Sequence, residues 1–140
     1  MPFVHLSIRG ATPTPTDIAH LQVALTRLMA DVLRKKPELT VVQVDVLPDT
    51  AWSVNGQPLS TGQLGLQLSV WITAGTNTAD EKAFFIARAH DTLEGMLGTP
   101  ATPTYVMVQE MAAGDWGHDG RTQLARMQAA STSAALATAP

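Results

Sequence analysis

Residues 39–52 read Leu-Thr-Val-Val-Gln-Val-Asp-Val-Leu-Pro-Asp-Thr-Ala-Trp, and 64 positions later residues 103–116 read Pro-Thr-Tyr-Val-Met-Val-Gln-Glu-Met-Ala-Ala-Gly-Asp-Trp. Each stretch holds a β-branched, partly alternating run, the pattern of a strand, and each closes on a tryptophan. The same shift lays Ile8 on Ile72, Leu33 on Leu97, Val42 on Val106 and Val44 on Val108. Short apolar runs match by chance, but paired tryptophans seldom do. The chain is therefore predicted to be one unit written twice.

Working outward, each unit reads as β-α-β. Met1-Pro2-Phe3-Val4-His5-Leu6-Ser7-Ile8-Arg9 is a strand, followed by a Pro/Thr-rich turn over 10–16. Thr14 suits a helix N-cap, Pro15 the first helical position and Asp17 a capping-box acid. Ile18, Leu21, Leu25, Leu28, Met29, Val32 and Leu33 then recur at three- and four-residue spacing and form one apolar face. Arg34-Lys35-Lys36 reads as a solvated cationic cap, and Pro37 ends the helix. Pro48-Asp49 and Asn55-Gly56 mark turns. In the second half, 66–73 is a strand and Thr78-Ala79-Asp80-Glu81 a capping box. Phe85, Ala89, Leu93, Met96 and Leu97 form the helix's inner face, Gly98 its end, and Tyr105 to Met111 the last strand.

The expected fold class is α+β: a four-stranded sheet with both helices on one face and right-handed parallel crossovers. The helix-free face is expected to carry many apolar residues still uncovered by the chain, which other copies of the chain would cover. Residues 1–128 form one domain of two units, about 2–59 and 66–120, with 129–140 as a flexible tail.

Composition narrows the function. The 140 residues are 45% hydrophobic and only 15% charged, which suits a globular chain that shares its surface with partners. A net charge of −3 gives no electrostatic case for nucleic acid. The absence of cysteine excludes disulfides, thiolate metal sites and thiol nucleophiles. No apolar run has membrane-spanning length and the start lacks a signal pattern, so a soluble, cytoplasmic protein is expected.

Pro2 is the chemically distinctive residue. Removal of the initiator methionine would leave its nitrogen as a free secondary amine. Burial disfavours the charged form, so the pKa would fall from about 8 towards neutrality, where the amine serves as a base.

The Met-Pro start on a strand, the β-α-β pattern and Val108-Gln-Glu-Met-Ala-Ala-Gly-Asp-Trp-Gly-His-Asp-Gly120 resemble the 4-oxalocrotonate tautomerase superfamily, as a fused, two-unit member. The likeness covers residues 2 to about 120. It implies a duplicated β-α-β tautomerase (MIF-like) fold, a homotrimer and no metal or cofactor. Only the first unit has a terminal proline, because the second begins at Leu66 within the chain, so three sites per trimer would follow. The catalytic residue implied is Pro2. Trp116, with Trp52 as its counterpart, matches the aromatic that walls the pocket. The family's two substrate-binding arginines are replaced by Thr12 and Thr76, and by Val41 and Tyr105. Arg9 matches a carboxylate-binding position of water-adding members, whose partner-unit position is Thr73 here. Tyr105 is a candidate donor to a carboxylate and His118, opposite Val54, a candidate acid or base beside Pro2. Arg9, Tyr105, Trp116 and His118 thus form the candidate substrate-binding set. His5, His90 and His20 receive no role.

The function implied is a cofactor-independent isomerase in which Pro2 acts as general base on a small enol or unsaturated carboxylic acid. Alternatives are Pro2-dependent hydration, dehalogenation or decarboxylation of a small acid, and a non-catalytic trimeric binding protein.

Overall fold

The first strand, β1 (Phe3–Arg9), alternates with period two: Val4, Leu6 and Ile8 point one way and are fully buried. Helix α1 (Pro15–Leu33) follows and lays Leu21, Leu25, Leu28, Met29 and Leu33 on that face. Strand β2 (Val41–Leu47) returns parallel to β1. A small hairpin, β3 (Ser53–Val54) and β4 (Gln57–Pro58), then leads to β5 (Gly65–Thr73), helix α2 (Ala79–Leu97) and β6 (Tyr105–Met111). A second hairpin, β7 (Gly117–His118) and β8 (Arg121–Thr122), precedes helix α3 (Gln123–Ala137). This computed structural model describes residues 1–138.

The duplication is visible element by element. Helices α1 and α2, strands β2 and β6, and the two hairpins each stand 64 residues apart, end to end. Sheet order is β2-β1-β5-β6, with β1 and β5 antiparallel at the centre and a parallel crossover on each side. Both helices cover the same face: Phe85, Ala89 and Leu93 of α2 join the α1 side chains over Leu66, Leu68, Val70 and Ile72. The expected α+β architecture is observed.

Both helices start as their sequences dictate. Thr14 Oγ1 accepts from the Asp17 amide while Asp17 accepts from the Thr14 amide, and Thr78 and Glu81 repeat the reciprocal pair. Each such cap contributes about 1 kcal/mol. Glu81 also binds across units, pairing with Arg34 at the end of α1 and accepting from Asn77 Nδ2 at 3.0 Å. Those partners, Arg34 foremost and then the Thr78 amide and Asn77, lower its pKa from 4.5 to about 2. Because the folded-state value is depressed, this stabilisation is complete above the ordinary carboxylate range and disappears as pH falls through the folded value. Melting temperature is therefore expected to decline on acidification from about pH 5 to pH 2, and Glu81→Gln to flatten that decline. An unchanged acid profile in Glu81→Gln would remove Glu81 from the account.

The helix-free face carries apolar and polar side chains together. Phe3 and Trp71 pack at one end, ring centroids 5.6 Å apart, but Ser7, Ser69 and Gln67 lie behind them. There His5 Nε2 sits 2.6 Å from Asp45 Oδ2. The expected flexible tail from 129 is helical through Ala137: α3 begins with a Thr122 cap to the Ala125 amide and continues through an alanine-rich run of high helix propensity. Residues 139 and 140 lie outside the described residues.

The link between units is clamped to β1. Gly10, at φ +82°, carries no Cβ, and one placed there would stand 2.0 Å from the Gln63 carbonyl oxygen. Only glycine lets the linker pass so close.

Candidate active site at the start of the chain

Pro2 is buried at the head of β1, and its carbonyl accepts from the Val41 amide at 3.3 Å. The N-terminus in front of it opens on a cavity of about 370 Å³. One wall comes from the end of α1 and the turn after it: Arg34, Lys35, Lys36 and Leu39. The opposite wall comes from the second unit, as His118 of β7 with Gln123 and Arg126 of α3. The cationic triplet, read from sequence as a solvated cap, thus lines the wall of an open cavity. Lys35 is half-buried there and its Nζ donates to Thr76 Oγ1 at 2.8 Å. Burial first, then the charges of Lys35 and Lys36, lowers the pKa of the chain's terminal amine.

His118 reaches the cavity because β7 and β8 turn on Asp119-Gly120, both in the left-handed region (φ 50° and 74°), as Asn55-Gly56 do in the first hairpin. Two consecutive positive φ values make the two-residue turn that follows the right-handed strand twist. His118 Nδ1 lies 2.8 Å from Asp119 Oδ2, and its carbonyl accepts from Arg126 Nη2 at 3.0 Å. Asp119 thus holds the ring and Arg126 the backbone. His118 also borders a second cavity, of about 390 Å³, lined by 114–122 and including Trp116.

The other residues of the expected set are elsewhere. Trp116 is half-buried, its indole N–H donating to Thr73 Oγ1 at 3.3 Å, and it does not border the cavity at Met1. Tyr105 stands 62% exposed at the start of β6 and lines neither cavity.

Arg9 is the clear correction. It is 2% exposed, and its guanidinium donates to the carbonyls of Asp49, Leu59, Ser60 and Gln63 at 2.8–3.2 Å. Four of its five N–H donors are thus spent on carbonyls, which leaves no paired fork to clasp a substrate carboxylate. Arg9 locks the linker and first hairpin to the sheet. What sequence reasoning missed was Gln123 and Arg126, placed where the unit's own periodicity had ended; the Thr122 cap was the one signal for the helix that carries them.

Residues 68–123, from within β5 to the first residue of α3, match the family described as tautomerase enzyme. The structure is similar to that of Pt0534 inactivated by 2-oxo-3-pentynoate, at 18% identity and a TM-score of 0.78 over 89% of this chain and 98% of that one. It is also similar to a native fused 4-OT, at 23% identity and a TM-score of 0.75 over 88% of this chain and 97% of that one. The chain has the fold of the fused, two-unit 4-OT structures, and a segment of its second unit matches the tautomerase family. The macrophage migration inhibitory factor-like protein of Entamoeba histolytica shares the fold more distantly, at 16% identity and a TM-score of 0.70 over 86% of this chain and 97% of that one. No curated protein matches the chain. The matched family segment lies in the second unit, whereas Pro2 heads the first. No helix among the described residues is long and apolar enough to cross a membrane.

Proposed function

We propose that this chain is a cofactor-independent tautomerase whose Pro2 amine, freed by removal of Met1, moves a proton within a small enol or unsaturated carboxylic acid. The observation that carries this reading is the setting of the terminus: Pro2 is buried, and the amine at the chain's start has its pKa lowered by burial and by Lys35 and Lys36. With Met1 removed, burial and the same cations would act on the proline nitrogen in the same direction, favouring the neutral amine that can accept a proton.

For an enol acid the steps balance within the site. The amine takes the enol hydroxyl proton, and the O–H electron pair becomes the second bond of the C2 carbonyl. The C2=C3 pair then takes the proton back from the ammonium at C3. Nothing is oxidised or reduced, and the amine ends as it began. His118, in the same cavity, is the second titratable group available to orient the substrate oxygen.

A homotrimer belongs to this proposal. The solved fused 4-OT proteins of the same fold include symmetric and asymmetric trimers. Phe3, Trp71, Val41 and Met107 supply apolar ground for contact on the helix-free face.

A second reading, hydration with Pro2 as a charged general acid, is favoured by the hydrogen bond that holds His118 against Asp119, an arrangement suited to positioning water. The pH profile separates the two. With Pro2 as base, kcat/KM for ketonisation of phenylenolpyruvate is expected to rise with pH through an amine pKa below about 8 and then level off. An acid mechanism gives the opposite slope. The same preparation is expected to be trimeric by light scattering, with a subunit mass lacking one methionine. Full activity in protein that keeps Met1 would end the proposal, because an amide nitrogen cannot take a proton.

A further inference from the structure

A separate cavity of about 410 Å³ opens at the other end of α1, between the turn before that helix, its first turns and the last turn of α2. It shares no residue with the cavity at Met1, and α1, 19 residues long, separates the two. The duplication supplies a closed version of the same place. A shift of 64 residues puts Thr12 on Thr76, Pro13 on Asn77, Asp17 on Glu81 and Leu33 on Leu97. In the closed version three donors meet these acceptors. Arg34 pairs with Glu81, Lys35 Nζ donates to Thr76 Oγ1 at 2.8 Å, and Asn77 Nδ2 donates to the Leu33 carbonyl at 3.2 Å.

In the open version the cationic and amide donors are gone while the acceptors stay. Gly98 stands for Arg34, Thr99 for Lys35 and Pro13 for Asn77, yet Thr12, Asp17 and the Leu97 carbonyl remain. Gly98 takes the chain out of α2 at φ +100° and ψ 174°, a path open to glycine, whereas Arg34 leaves α1 at φ 55° and ψ 37°. Residues 98–101 accordingly line no part of the cavity. Asp17 Oδ2 accepts from the Thr14 amide and hydroxyl, both at 2.8 Å, but Oδ1 receives no donor among the described residues. Nor does any side chain among them donate to the Leu97 carbonyl, at the negative end of the α2 dipole. Leu21 and Met96 give the cavity an apolar lining, and His20 adds an aromatic ring where the other unit has Phe84. The matching guest is cationic, offers several donors in one plane and carries an alkyl stem. A carboxylate and a helix's terminal carbonyls exclude an anion.

We propose that this cavity binds an alkylguanidinium group, with the guanidinium on Asp17 Oδ1 and the Leu97 carbonyl and the stem along Leu21 and Met96. A guanidinium carries five donors in a fixed fork and stacks on aromatic rings, which gives His20 a place beside it. The guest thereby does from outside what Arg34 and Asn77 do for Glu81 and Leu33 within the chain. A free alkylguanidine and an arginine side chain of a peptide share this chemistry. The site stands apart from the Pro2 reaction and does not depend on it.

The test is an NMR chemical-shift titration of the isotope-labelled full chain with agmatine, N-acetyl-arginine methylamide and N-acetyl-citrulline methylamide. Both guanidines are expected to cause saturable shifts at 11–21 and 96–98. The citrulline probe, of the same shape but uncharged, is expected to bind at least about tenfold more weakly, the value of one charge-assisted contact. Asp17→Asn keeps an acceptor for the Thr14 amide and is expected to weaken both guanidines by about tenfold. Pro13→Asn copies the other unit, hands the Leu97 carbonyl a donor from within the chain, and is expected to weaken them by about threefold or more. Arg34→Met frees Glu81 and is expected to add a second set of saturable shifts at 75–85. Tighter binding of agmatine would support the site with a free amine as its occupant, and tighter binding of the blocked arginine would support it with a peptide. Equal binding of the citrulline probe, unchanged affinity in folded Asp17→Asn and Pro13→Asn, or no second set of shifts in folded Arg34→Met would overturn it.

Discussion

Replacing Pro2 by alanine is expected to lower kcat/KM for ketonisation of phenylenolpyruvate by about 100- to 10,000-fold, the range of a positioned proton-transfer group. Alanine also leaves an amine once Met1 is removed, so the loss measures placement as much as basicity. The pyrrolidine ring fixes φ and holds the nitrogen rigidly at the head of β1, where Pro2 is buried and its carbonyl is tied to Val41. A primary amine on alanine rotates freely and is held less often in position to take the proton. An amino-terminal extension that keeps Pro2 as an amide is expected to abolish the rate altogether, while leaving the melting temperature near that of wild type. Equal rates in wild type, Pro2→Ala and the extended chain would leave the fold without this chemistry and favour a binding protein.

The second large effect is on stability. Arg9→Met is expected to destabilise the chain by about 3–5 kcal/mol, the range for removing one member of a buried charged network. Four carbonyls, those of Asp49, Leu59, Ser60 and Gln63, lose their donor at once in a site that methionine cannot hydrate. For a chain of this size the melting temperature is expected to fall by roughly 10 °C or more. At temperatures where the variant stays folded, KM is expected to match wild type, because the guanidinium never faces substrate. A raised KM with unchanged melting would return Arg9 to the carboxylate-binding role that its sequence position suggests.

Arg9 shows why the site was harder to read than the fold. Along β1 its alternation with Ser7 and His5 is plain, but the same residue at a strand end serves equally as a ligand clamp or a backbone clamp. What decides is whether a carbonyl-rich loop folds over it, and residues 59–63 come from 50 positions away. Lys36 shows the reverse. As the last of three cations after a helix it looks like a solvated cap, and only the arrival of α3 from the other unit places it on the rim of a cavity. Trp116 was legible as half of a pair, yet its indole is turned to Thr73 instead of the cavity at Met1.

By itself, the sequence determined the elements and their doubling. Apolar periodicity, reciprocal Thr-Asp and Thr-Glu caps and the paired tryptophans are short-range signals, and helices and strands form in response to them wherever the chain later goes. The chemistry of a terminal proline was equally explicit. Tertiary structure alone decided which side chains meet it. The cavity draws on residues near 1, 36, 118 and 126, brought together because β1 and β5 pair antiparallel at the centre of the sheet. That pairing carries the second unit's hairpin and α3 across to the chain's beginning. Two copies of one pattern then diverge for a simple physical reason: a linker fills the pocket in one, and the chain's start leaves it open in the other.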